Sequence, residues 1–200
     1  MPIKFMANHN CIVYGSTGVG KTHFMLRILK EKLIEPFPKS ITYMYGVKQS
    51  FMDTWNKESN PKIEFVQGLD FNKVKNNSIL IIDDLLLSNN KEVAEAFIMG
   101  SHHRCISVFY LTQNLFPNDP LFRLMSLNAH YFVLFQNPRN QRQVFTLAQQ
   151  AFTDLAAFRL AYKRASLTPR DFIILNFNPL LPKELTIIGD FWSKYISVYC

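Results

Sequence analysis

The chain has 200 residues, of which 48% are hydrophobic and 18% charged, with 18 Phe and 8 Tyr. That apolar content excludes a disordered chain and suffices for one sizeable core, so a single domain over residues 1–200 is expected. The net charge is +7, and most of the excess sits between His102 and Arg170, where Arg104, Arg123, Arg139, Arg142, Arg159, Lys163, Arg164 and Arg170 face only Asp119 and Asp154.

The longest apolar runs are interrupted by Asp83 and Asp84, far short of the roughly 18 residues a membrane span needs, so no membrane association is expected. The opening MPIKFMANHN does not read as a signal peptide. Three scattered cysteines, Cys11, Cys105 and Cys200, suit a reducing compartment better than a disulfide framework. An intracellular protein is therefore expected. The arginine-rich window suits a polyanionic partner, because a guanidinium fork grips phosphate oxygens in pairs.

In chain order, apolar runs bounded by turn residues predict strands at residues 11–14, 41–45, 79–82, 106–112 and 131–135, with a further strand at 172–177. Between them, residues 22–33 place Phe24, Ile28 and Leu29 on one helical face ahead of Pro36, and residues 91–99 and 141–163 read as further helices. The segment 192–199 reads as edge strands or packing segments. Continuously apolar strands separated by helices imply an α/β fold, with a mostly parallel sheet covered on both faces.

Gly15-Ser16-Thr17-Gly18-Val19-Gly20-Lys21-Thr22 matches G-x-x-x-x-G-K-[ST] in full, directly after a strand and directly before a helix. Glycines let such a backbone wrap until several N–H groups converge on phosphate oxygens, and the helix that follows adds positive potential. The motif assigns Lys21 to the β- and γ-phosphates and the Thr22 hydroxyl to Mg²⁺, with ATP as the nucleotide. Ile79-Leu80-Ile81-Ile82-Asp83-Asp84 then supplies acids at the end of a second buried strand. Alternation sends the two to different sides, so Asp83 is expected in the Mg²⁺ shell and Asp84 at the attacking water. A third strand closes on Gln113, the candidate γ-phosphate sensor. A guanine-reading N-K-x-D is absent: Asn56-Lys57 is followed by Glu58-Ser59 and Asn90-Lys91 by Glu92-Val93.

In this order and spacing, GSTGVGKT, ILIIDD and VFYLTQN resemble P-loop ATPases of the additional-strand group, whose sensor strand lies between the first strand and the Walker B strand. The loop form and the Gln closing the sensor strand are similar to the FtsK-HerA superfamily. Ser101-His102-His103-Arg104, Leu111-Thr112-Gln113-Asn114-Leu115-Phe116, Leu127-Asn128-Ala129-His130-Tyr131 and Asn137-Pro138-Arg139 resemble genome-packaging ATPases of Polinton/Maverick elements and adintoviruses, and more distantly those of poxviruses. The resemblance covers roughly residues 8 to 150. It implies an ATP-hydrolysing motor that forms a homo-oligomeric ring, pentamer or hexamer, and moves double-stranded DNA into a capsid at the site of virus assembly. It also implies a capsid or portal vertex partner and an arginine finger offered to the neighbouring subunit. Asp84 stands where many superfamily members carry Glu, a shorter reach toward water.

Arg104 precedes the sensor strand and so belongs at the sheet end away from its own nucleotide, which makes it the candidate finger in trans. Arg139 and Arg142, after the strand at 131–135, are the alternative fingers or DNA contacts. His102, His103, Cys105 and His130 match no usual zinc spacing. A helicase loader or transposition helper shares the loop and paired acids, and a nucleotide-gated assembly protein would bind ATP with little turnover.

Overall fold

The computed structural model describes residues 3–83, 85, 91–115 and 120–200. Its elements are Phe5–Met6 (β1), Cys11–Tyr14 (β2), Lys21–Lys30 (α1), Ile34–Glu35 (β3), Ser40–Tyr45 (β4), Phe51–Glu58 (α2), Glu64–Gln67 (β5), Ser78–Asp83 (β6) and Lys91–His103 (α3). These are followed by Ser107–Thr112 (β7), Pro120–Leu127 (α4), Tyr131–Phe135 (β8), Gln141–Ala151 (α5), Ala156–Ala165 (α6), Phe172–Asn176 (β9), Ile187–Gly189 (β10) and Ser197–Tyr199 (β11).

Among the described residues, nine strands form one sheet in the order β11-β10-β9-β8-β2-β7-β6-β4-β5, while β1 and β3 pair separately. The strands from β8 to β5 run parallel. At the other edge β9, β10 and β11 alternate in direction. β2 is central and fully buried, with Cys11 through Tyr14 pairing in register with Phe109 through Thr112 on one side and Tyr131 through Leu134 on the other.

Successive side chains of each strand enter opposite layers. Ile12, Tyr14, Leu80, Ile82, Val108 and Tyr110 belong to a core with Phe97 of α3, Met125 of α4, Leu147 of α5 and Phe158 of α6. Cys11, Val13, Ile79, Ile81, Phe109 and Leu111 belong to a second core with Phe24, Ile28 and Leu29 of α1 and Trp55 of α2. Neither face of the central strands meets water, which is why these strands read as unbroken apolar runs rather than as alternating ones.

Two helix expectations need correction. The helix expected over residues 22–33 stops at Lys30. Lys32 takes φ 52°, its N–H donates to the Leu29 carbonyl at 3.2 Å and that of Leu33 to the Ile28 carbonyl at 3.0 Å, a Schellman closure that usually carries glycine. The helix expected over residues 141–163 is two helices. Phe152 leaves α5 in an extended conformation and packs on Phe158 and Phe177, and the Asp154 carboxylate accepts the Ala156 N–H at 2.9 Å to start α6. The segment 192–199 supplies both an edge strand and packing: β11 extends the sheet beside β10, and Trp192 lies 5.8 Å from Phe24 with the Arg27 guanidinium 4.1 Å over its ring. Among the described residues, no helix is long and apolar enough to cross a membrane.

Position in this sheet separates the cysteines chemically. Cys11 is fully buried in β2, and burial raises its thiol pKa well above the ordinary range, whereas Cys200 is exposed. Alkylation of the native protein followed by mass mapping is expected to modify Cys200 readily and Cys11 only after unfolding; equal rates would contradict the central placement of β2.

Candidate functional site

The loop is built on the end of β2. Gly15 donates its N–H to the Thr112 carbonyl at 3.2 Å, so the chain stays tied to β7 as it leaves the sheet. A Cβ on Gly15 would stand 2.7 Å from Phe135 Cβ and 2.7 Å from Val19 Cγ2, so only glycine fits there. At the far side of the loop, Gly20 takes φ 110° and opens α1, whose first turn holds no acidic residue. The first-turn N–H groups and positive dipole end of α1 therefore meet the loop without a competing carboxylate.

Lys21 is buried, and its Nζ donates to the carbonyls of Gly15 at 2.8 Å and Ser16 at 3.1 Å, which holds the ammonium inside the turn. Asp83 closes β6 in register with Leu111 of β7 and Tyr45 of β4, and is 5% exposed. Its Oδ2 accepts three hydrogen bonds: from the Tyr43 hydroxyl at 2.5 Å, from Gln49 Nε2 at 3.0 Å and from the Thr22 hydroxyl at 3.3 Å. Burial, reinforced by the Asp83 carboxylate, drives the Tyr43 phenol pKa far upward, so Tyr43 remains a neutral donor. Gln113 lies just past β7, and its Oε1 accepts from the Thr17 hydroxyl at 2.8 Å.

These groups line one cleft of about 430 Å³, with Thr17, Gly18, Gly20, Lys21, Thr22, Asp83 and Gln113 on its wall and His23, Gln49 and Arg170 completing it. A carboxylate and a hydroxyl 3.3 Å apart are hard oxygen donors of the kind magnesium takes alongside phosphate oxygens and water, so the residues present fit that ion. No group of three or more His, Cys, Asp and Glu side chains that could hold a metal ion gathers among the described residues.

Of the residues singled out in the sequence, Thr17, Gly18, Gly20, Lys21, Thr22, Asp83 and Gln113 line this cleft together, with Gly15 and Ser16 bound to Lys21 Nζ through their carbonyls, whereas Asp84 lies outside the described residues. Arg104 sits at the opposite end of the sheet, where its carbonyl accepts the Asn77 N–H ahead of β6; its Nε donates to Asn76 Oδ1 at 2.9 Å and its Nη2 to the Val74 carbonyl. Arg139 and Arg142 are exposed beyond the end of β8, on the loop's end of the sheet. Sequence reasoning missed Tyr43, Gln49 and Arg170. Tyr43 becomes visible only once β4 is known to neighbour β6, with Tyr43 opposite Ile81 and so two residues back from Asp83 on the same face.

The chain matches no protein-family model, and a search of curated proteins finds no match either. Among solved structures, the DNA-packaging ATPase B204 of Sulfolobus turreted icosahedral virus superposes with a TM-score of 0.56 at 15% identity, over 97% of this chain and 98% of that one. The genome-packaging NTPase B204 of Sulfolobus turreted icosahedral virus 2, in complex with ATP-gammaS, gives 0.50 at 15% identity, over 96% of each chain. The likeness shows the fold, a mostly parallel α/β sheet flanked by helices.

The donors on Asp83 set a measurable cost. Tyr43→Phe keeps the ring contacts with Phe51 and Phe65 but removes one hydrogen bond to a buried carboxylate. The expected loss of stability is about 1.5–3 kcal/mol by urea unfolding at neutral pH. A change near zero would show that the Tyr43–Asp83 contact contributes nothing.

Proposed function

We propose that this chain is an ATP-hydrolysing motor that translocates double-stranded DNA into a viral capsid. The observation that carries the reading is the convergence of a complete phosphate loop with Asp83, which accepts the Thr22 hydroxyl at 3.3 Å. The packing function rests further on the likeness to the two viral packaging enzymes and on the sequence resemblance, which includes the order in which β7 separates β2 from β6.

In this reading the backbone of residues 15–22 wraps the ATP phosphates, and Lys21 moves from the loop carbonyls to the β- and γ-phosphates. Thr22 and Asp83 hold Mg²⁺, which when bound draws charge from the phosphate oxygens. Tyr43 and Gln49 orient the Asp83 carboxylate. Gln113 senses the terminal phosphate from the end of β7, and Asp84 orients the attacking water. Arg104 serves the next subunit of a pentameric or hexameric ring. Its Nε and Nη2 are engaged within its own subunit, which leaves Nη1 to reach across an interface. Arg139 and Arg142, with Arg159 and Lys163 on the exposed side of α6, supply phosphate contacts to the duplex. Capsid or portal vertex proteins complete the machine where particles assemble.

Steady-state phosphate release tests the reading. Duplex DNA is expected to raise turnover, and Lys21→Ala to abolish it; ATP binding with negligible turnover, with or without DNA, would point to a nucleotide-gated assembly protein instead. Arg104→Ala is expected to lower turnover by about 10³-fold or more while ATP still binds, since fingers contribute on the order of 10³ to 10⁵ in rate. Mixing Arg104→Ala with Lys21→Ala subunits is expected to restore part of the activity, because some interfaces then hold one complete site. No recovery in mixed rings verified by mass would exclude Arg104 as the finger and transfer the test to Arg139 and Arg142.

A further inference from the structure

The cleft holds a second basic side chain beside Lys21 that neither the motif nor the resemblance assigns: Arg170, two residues before β9 begins. The antiparallel course of β9 brings it there. Pairing of Phe135 with Phe172 sets the start of β9 against the end of β8, so a residue far along the chain returns to the loop's end of the sheet.

Arg170 occupies a demanding position. Asp171 donates its N–H to the Thr168 carbonyl at 3.2 Å, and within this tight turn Arg170 adopts φ 65°, a left-handed conformation that favours glycine over a long side chain. Its Cβ and Cγ lie 3.8 and 3.9 Å from the point that a Cβ on Gly20 would occupy, so the side chain runs past the last glycine of the loop. Arg164 pairs with Asp190 at 3.2 Å and Arg104 with Asn76 at 2.9 Å, but among the described residues no ion pair or hydrogen bond engages Arg170.

Sheet order then fixes which part of a nucleotide it meets. β7 and β6, which lead to Gln113 and Asp83, lie on one side of β2, while β8 and β9 lie on the other. A phosphate chain seated in the loop with its terminal phosphate toward Gln113 and Asp83 has its inner phosphates on the side of Gly20 and Arg170. Resting on the reading of residues 15–22 as a nucleotide loop, we infer that Arg170 binds the α- and β-phosphates of the nucleoside di- or triphosphate held by its own subunit. A planar fork that can take two oxygens at once suits that part of the ligand. Arg170 thereby differs from a finger, which acts on the terminal phosphate from a neighbouring subunit.

Because the inner phosphates are common to ADP and ATP, Arg170 stabilises both to the same extent. Arg170→Gly removes the guanidinium and gives the turn the residue its φ favours, so the thermal midpoint of the nucleotide-free protein is expected to stay level or rise. Equilibrium titrations with mant-ADP and with ATPγS are expected to show both Kd values rising about 10- to 100-fold and by the same factor, with Arg170→Lys between the two. Lys21→Ala in the same titrations reports on the loop itself. Nucleotide binding absent from the native protein, or unchanged in Lys21→Ala, would overturn the loop reading and Arg170 with it. Binding lost in Lys21→Ala but unchanged in Arg170→Gly would overturn the Arg170 assignment alone. A loss for ATPγS without one for ADP would also overturn it, since it would put the guanidinium at the terminal phosphate.

Discussion

The site depends on a contact that admits no side chain: the backbone of Gly15 passes Phe135 so closely that a Cβ would fall 2.7 Å from the Phe135 Cβ. This close approach joins the loop to the second core, because Phe135 also packs on Phe24 of α1 and Phe172 of β9. The phosphate loop is therefore seated on an aromatic layer shared by three elements rather than hung from the end of one strand. A cavity or a clash at Phe135 would disturb both ends of the loop together, the exit from β2 and the entry into α1.

With the loop fixed, the parallel sheet does the rest. Parallel strands end on the same side, so β6 and β7 deliver Asp83 and Gln113 to the loop by their lengths alone. The buried carboxylate of Asp83 would be unfavourable in this environment without donors, and the hydroxyls of Tyr43 and Thr22 and the amide of Gln49 provide three. The electrostatics of the cleft are thus divided. On the β6 flank a carboxylate and hydroxyl offer oxygens to a cation, and on the β9 flank Arg170 offers a cation to an anion.

Much of this was legible from residues alone, for physical reasons that differ by element. β2, β6, β7 and β8 are covered on both faces, so their apolar runs announced them with bounds close to those observed. The loop was legible because its chemistry demands particular residues at fixed spacing. What stayed hidden was set by long-range geometry: the Schellman turn at Lys32 uses a residue that carries no stop signal, and the Phe152 break interrupts an otherwise helical pattern through a ring packing inward. Tyr43 and Arg170 are the instructive cases. Tyr43 reaches Asp83 and Arg170 reaches the cleft through strand pairing, β4 beside β6 and β9 against β8, and neither pairing can be read from the local sequence.

The most direct test of the account is hydrogen–deuterium exchange of the protein with and without Mg·ATPγS. If residues 15–22 cradle the phosphates, their backbone amides, together with those of the first turn of α1, gain protection. Protection absent from the loop would contradict the placement of the nucleotide on which the proposed function rests.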